Sequence, residues 1–253
     1  STGAATVVAG VGNLVLGTSS VGGVLDAVAT AGNLRTAGTV TLTGGTGHNL
    51  RATSATGFVV VDGAVDVTAA DAKLTITAGN AVSLNAAVTM AGTGANLVVA
   101  AEQGLTQPGG NLNVAGLALT GNGAFTLGSA NNALSRFAAN VTTGSIDVTA
   151  NSTLSVGSVA GISGANVGGA ITLAVTGSAR DLIVTQTIAE TASANVVLSA
   201  GNSIVFAQGA ATGIAAGSNA VRLSAGNQIV GSSGAGIDIV AGLANLNATL
   251  GGI

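Results

Sequence analysis

The chain has no cysteine, tryptophan or tyrosine, and only one histidine, one proline and four phenylalanines in 253 residues. Each shortage removes a class of explanation. Without cysteine there are no disulfides and no thiolate metal sites. The single histidine, His48 in Gly44-Gly45-Thr46-Gly47-His48-Asn49, has no second imidazole with which to build a metal centre or a catalytic pair, so it reads as a turn residue. Charge is scarce as well. Charged residues make up 6% of the chain, nine acids and six bases with a net charge of −3, against about 25% in ordinary domains. The bases, Arg35, Arg51, Lys73, Arg136, Arg180 and Arg222, are scattered and have no aromatic platform beside them, which argues against nucleic acid as a partner. No apolar run approaches the roughly 20 residues of a membrane-spanning helix. Aromatics at 2% are too few for the girdles of an outer-membrane barrel.

What is present is 47% hydrophobic residues, mostly Val, Leu, Ile and Ala, spaced among Thr, Ser, Asn and 41 Gly. That hydrophobicity excludes disorder, and the mixture suits strands and turns. Apolar and small polar residues alternate over short segments such as Thr39–Thr43, Lys73–Thr77, Ser145–Thr149 and Ala194–Ser199, with Gly, Asn, Ser and Ala between them.

One stretch recurs. Asn195-Val196-Val197-Leu198-Ser199-Ala200-Gly201-Asn202-Ser203-Ile204-Val205-Phe206 is followed by Ala220-Val221-Arg222-Leu223-Ser224-Ala225-Gly226-Asn227-Gln228-Ile229-Val230. Gly201 and Gly226 are separated by about 25 residues, a spacing typical of one solenoid coil. An upstream copy runs Lys73-Leu74-Thr75-Ile76-Thr77-Ala78-Gly79-Asn80-Ala81-Val82-Ser83-Leu84. Thr149, Thr176, Ser199 and Ser224, taken as equivalent anchors, recur at intervals of roughly 25 residues. A short strand buries little by itself. Stacked on a copy of itself it gains a parallel ladder and places its inward side chains on like neighbours. The expected fold is all-β: one right-handed parallel β-helix over residues 1–253, with about ten coils of roughly 22–27 residues and three short strands per coil. At about 4.8 Å per coil the rod is on the order of 50 Å long. Residues 1–37 read as an irregular start. Asn80, Asn202 and Asn227 are expected to share one corner, their amides bonding from coil to coil, with Leu198 and Leu223 in one inward stack. Three stretches break the rhythm and are expected to leave the rod as loops. These are residues 102–110 around Pro108, residues 128–140 with Arg136 and Phe137 as a candidate adhesive tip, and residues 208–219.

The repeated units, the absence of cysteine and the low charge resemble bacterial filamentous-haemagglutinin-like exoproteins, the repeat region of two-partner-secretion adhesins. The likeness spans about residues 38–250. It is clearest in Gly144-Ser145-Ile146-Asp147-Val148-Thr149-Ala150-Asn151 and from Gly169-Ala170-Ile171-Thr172-Leu173-Ala174-Val175 through Phe206. It implies secretion to the bacterial cell surface and a role in adhesion, aggregation or surface layering, with cell-surface glycans or other cells as partners. It brings no catalytic motif and no cofactor.

The competing reading is a carbohydrate-active β-helix enzyme built on the densest acid group, Asp62, Asp66 and Asp71, since glycoside hydrolysis uses two opposed carboxylates. A sugar cleft without Trp or Tyr is unusual, and the calcium nonapeptide pattern is missing, so neither catalytic nor metal residues are assigned. Asn140, Asn151 and Asn247 match the glycosylation acceptor pattern at the rate expected of an Asn- and Thr-rich chain. The strand-like, uncharged ends and the two-sided apolarity of Phe58-Val59-Val60-Val61 lead to self-association, end to end or laterally, as the expected mode of action, unless the chain continues beyond these residues. A monomeric stalk presenting a loop is the other alternative.

Overall fold

The computed structural model describes residues 3–207, 213–233 and 236–250. These residues form a β-solenoid with no helix, parallel strands being stacked in about 10 turns. Three ladders run the length of the rod. The first face begins with Ala5–Ala9, Leu25–Ala29, Gly47–Ala52 and Lys73–Ala78. The second begins with Leu14–Leu16, Leu34–Thr36 and Val59–Val61, and the third with Ser19–Val21, Val40–Leu42 and Val65–Val67. The second face is an 11-stranded parallel sheet. The first and third are joined into one 19-stranded sheet because two long strands, Leu112–Asn122 and Ala133–Thr143, pass from one face to the other without a break.

The strands follow from the alternation. In Val59–Val61, Val65–Val67, Val82–Leu84 and Leu154–Val156 the two outer residues are buried and the middle one is not. Register is fixed by the same pattern, because a one-residue slip would turn each aliphatic side chain into solvent. On the second face the inward column runs Leu14, Leu34, Val59, Val82, Leu105, Phe125, Ile146, Ile171, Val196, Val221. Turns on this face therefore run from 20 to 25 residues, and three of them, Leu14 to Leu34, Leu105 to Phe125 and Phe125 to Ile146, are shorter than the expected 22–27. The anchor Thr176 is displaced by two residues from its supposed column: the residue stacked between Thr149 and Ser199 is Ala174, which makes the successive steps equal.

The repeated Ser-Ala-Gly-Asn units lie one above the other. Leu198 pairs with Leu223, and the Asn227 amide donates to the Asn202 carbonyl at 2.8 Å. Glycine is required at this corner because the turns touch there. A Cβ on Gly226 would lie 2.1 Å from the Gly201 carbonyl oxygen, and one on Gly201 would lie 2.2 Å from that of Gly177. Asn80 does not share this corner. It follows the first-face strand Lys73–Ala78, whereas Asn202 and Asn227 follow second-face strands. The Ala-Gly-Asn tripeptide thus serves two different corners, since each poses the same steric problem: a Cβ on Gly79 would meet the Ser54 carbonyl oxygen at 2.1 Å. The expected coil-to-coil bonding of Asn amides is also replaced, because Asn202 Nδ2 donates to Asp181 at 2.7 Å.

The irregular start is in fact regular. Residues 3–37 carry five strands, and Ala5–Ala9 pairs residue for residue with Leu25–Ala29. Two of the expected loops belong to the rod. Residues 102–110 contain the second-face strand Gly104–Thr106, with Leu105 buried. Residues 128–140 enter the strand Ala133–Thr143, in which Leu134, Phe137, Ala138 and Ala139 are fully buried. Of the third, residues 208–212 lie outside the described residues, and Ile214–Ala215 is a first-face strand with Ile214 buried. The excursion that does leave the stack is an antiparallel hairpin, Ser158–Val159 with Ile162–Ser163. It closes through Ala160 and Gly161 at positive φ, and Val159 packs outside the first face on Ala118 and Ala138.

Candidate functional site

Most acidic side chains act between turns. Arg51 Nη2 bonds both carboxylate oxygens of Asp26 at 2.7 Å. Asp62 takes hydrogen bonds from Arg35 of the turn before and from Asn85 of the turn after, and these two hold its carboxyl below its ordinary range, Asn85 first. Asp71 accepts from the Gly94 amide, Glu102 from Asn122, Asp181 from Asn202 and the Ser203 amide, and Glu190 from Asn219. Six of the nine acids therefore bind a residue on the neighbouring turn of the rod.

The three acids of the densest group have separate surroundings. Asp62 lies just past the second-face strand and is held by Arg35 and Asn85. Asp66 stands outward on the third face between Thr41 and Thr89. Asp71 sits at positive φ in a later bend. Among the described residues no group of three or more His, Cys, Asp or Glu converges on one point.

His48 is in the core, not in a turn. It is fully buried on the inward side of Gly47–Ala52, stacked against Leu74. Its Nδ1 accepts the Leu25 amide at 3.2 Å, which places the proton on Nε2, and Nε2 has no partner. Burial lowers its pKa from 6.5, because the imidazolium would lose its water.

Arg136 and Phe137 are not on a loop tip. Phe137 is a core residue between Leu117 and Val156. Arg136, next to it and half-buried, points the other way into a notch in the edge of the rod. The notch has a cause legible in the register. The first-face column steps from Leu74 to Leu97, then to Leu117, then to Phe137, and each of the last two steps is three residues shorter than the first. The shortened turns lack a corner. Below them, residues 91–95 bulge between Val88–Met90 and Asn96–Ala101; in the next turn the chain runs straight through Val114, Ala115 and Gly116. The result is a recess of about 570 Å³, walled by Gly92 and Thr93 on one side and Ser152 on the other. Met90, Val114, Ala115 and Ala133 supply apolar surface, and Asn113, Ser135 and Arg136 are polar.

Arg136 is braced from two turns below. Its Nη2 donates to the Thr93 carbonyl at 3.0 Å and to Asn96 Oδ1 at 3.4 Å, while Asn96 Nδ2 donates to the Gly94 carbonyl at 2.7 Å. Ser152 is spent on Leu134, accepting from its amide and donating to its carbonyl. The side chains of Asn113 and Ser135, both exposed, make no hydrogen bond among the described residues, and no carboxylate lines the recess. A guanidinium has five N–H donors, so Arg136 keeps its Nε and Nη1 donors for the recess.

The recess is held by a residue that composition conceals. Asn132 is fully buried and forms a reciprocal amide pair with Gln107, at 2.8 and 3.0 Å; its Oδ1 also accepts the Leu112 amide at 2.9 Å and its Nδ2 donates to the Thr149 carbonyl at 3.2 Å. In sequence it is one Asn among many, and only its place beside the shortened turns marks it.

Compared with family models, with curated proteins and with solved structures, the chain gives no match.

Proposed function

We propose that this chain is the stiff part of an extracellular structural and adhesive protein of a bacterial surface, one that builds a filament, fibre or layer with copies of itself. The observation that carries the reading is the use of charge. Six of nine acids are committed to the neighbouring turn, so the residues best able to do chemistry reinforce a stack. An enzyme that cleaves glycosides keeps two carboxylates opposed across a cleft, whereas Asp62 is tied to Arg35 and Asn85, and Asp66 stands outward on the third face. The outer columns fit lateral packing. On the second face Val60, Ser83, Thr106 and Thr126 follow one another, small or β-branched and uncharged, between Arg35 at one end and Asp147 at the other, so over these four turns a second rod can approach without burying unpaired charge. Phe58, 40% exposed, adds an apolar contact beside that column. The placement at a bacterial surface rests on the likeness of the repeats to secreted adhesins.

Sedimentation velocity across a wide range of protein concentration, with negative-stain images of the same samples, tests the reading. Side-by-side or lengthening rods are expected as concentration rises. Monodisperse rods about 50 Å long at the highest concentration would overturn self-association. A Phe58→Asp variant, carrying charge in the proposed contact, is expected to remain as single rods.

A further inference from the structure

We infer that the notch around Arg136 binds a short anionic saccharide, the guanidinium taking its carboxylate or sulfate group. The inference rests on the adhesive reading above and adds the class of ligand.

Three observations converge on this class. The recess holds a half-buried guanidinium with no carboxylate beside it, braced on its Nη2 side by Thr93 and Asn96. Bracing removes most of the conformational cost of using the remaining donors, and a planar fork of N–H groups matches a two-oxygen anion. Elsewhere on the rod Arg35 and Arg51 are neutralised by Asp62 and Asp26, and Lys73, Arg180 and Arg222 are exposed to solvent. Arg136 is held in place without being neutralised, and an anion from outside completes it.

The remaining lining suits a sugar. Asn113 and Ser135 are outward polar groups of successive turns with no hydrogen bond of their own. Asn113 pairs with Ala133, so Ser135 lies diagonally across the ladder from it, about 7–8 Å away. At that separation the two can meet hydroxyls at opposite ends of a sugar ring. Ala115 and Ala133, both partly exposed, offer apolar surface to its C–H face, with the buried Met90 and Val114 behind them. A volume of about 570 Å³ falls within the range of small-ligand sites. A peptide fits less well. Peptides commonly bind sheets by adding a strand at an open edge, but here the main chain beneath the notch is already paired on both sides, Asn113 with Thr89 and with Ala133.

Titration calorimetry with the whole chain, using trigalacturonate, a sulfated disaccharide, a neutral galacto-oligosaccharide of the same length and a tetraglutamate peptide, decides the matter. One or both anionic sugars are expected to bind with a Kd in about the millimolar range, and the neutral sugar about tenfold more weakly or worse. Whether uronate or sulfate is preferred names the anion. Arg136→Gln is expected to lose about tenfold or more for the anionic sugar and Arg136→Lys to restore it only partly, while Asn113→Ala with Ser135→Ala weakens acidic and neutral sugars alike. Hydrogen exchange of the Phe137 and Ala138 amides reports that each variant keeps its fold. Equal binding of acidic and neutral sugars, unchanged binding by Arg136→Gln, tighter binding of the peptide, or no binding of any sugar at about 10 mM would each overturn the inference. Rod association read by sedimentation is expected to be the same in Arg136→Gln, so the ligand and the scaffold can fail separately.

Discussion

Replacing Asn132 with alanine should loosen the middle of the rod out of proportion to the size of the change. The side chain is fully buried and makes five hydrogen bonds: four to neighbouring turns, two with Gln107 and one each with the Leu112 amide and the Thr149 carbonyl, and one to the Leu127 carbonyl of its own turn. Alanine removes them all. Gln107 is only half-buried and can turn to water, and the two carbonyls have other lone pairs, so those losses are small. The Leu112 amide is different: Leu112 is buried, and its N–H would face an apolar gap. An orphaned buried donor costs about 1–3 kcal/mol, and the vacated volume adds to this, giving roughly 2–4 kcal/mol. Because a solenoid can open locally, a single melting temperature is a poor readout. Hydrogen exchange followed by mass spectrometry reads the segments directly. Faster exchange is expected around residues 105–114 and 133–141, with 182–206 unchanged. The exposed neighbour Asn111, whose amide oxygen accepts from Ser129, is the control, and Asn111→Ala should shift exchange by less than about 0.5 kcal/mol. Indistinguishable profiles for the two variants would refute the reasoning.

Three further outcomes are expected. His48 is neutral in the folded chain and its folded pKa is lowered, so the unfolded chain takes up the proton first; its contribution to stability should be present above pH 6.5 and fall as pH drops from there toward the lowered folded pKa, with a slope of at most about 1.4 kcal/mol per unit. Denaturant titrations at several pH values should show that slope in the native chain and lose it in His48→Leu above the carboxylate range; a slope that persists in the variant would assign it elsewhere. Gly226→Ala places a Cβ 2.1 Å from the Gly201 carbonyl and should cost more than about 2 kcal/mol, whereas Gly128→Ala, with nothing within 4 Å, should be near neutral by the same denaturation assay. Phe137→Ala should cost about 3–5 kcal/mol, which a residue on a protruding loop would not.

Alternation alone determined the strands, and repetition determined that they stack. A strand with inward Val, Leu or Ile at every second place has one way to face a core, and a copy one turn later has one register on it, as Leu198 and Leu223 show. Scarce charge followed from the same stacking. The tertiary structure decided whatever depends on which turn lies above which. The tripeptide Ala-Gly-Asn could not say which corner it served, because any corner where carbonyls press on the next turn asks for glycine. His48 read as a turn residue because three glycines precede it closely, yet the strand begins at Gly47 and alternation then turns the imidazole inward. Residues 128–140 read as a loop because polar residues and Arg136 interrupt the pattern. In the fold Asn132 satisfies buried main chain, Phe137 is core, and Arg136 sits in a recess that exists only because two turns are three residues shorter than the turn before them. That shortening was present in the spacing all along. Its meaning, a missing corner holding a guanidinium with no carboxylate beside it, needed the neighbouring turns to be placed beside it.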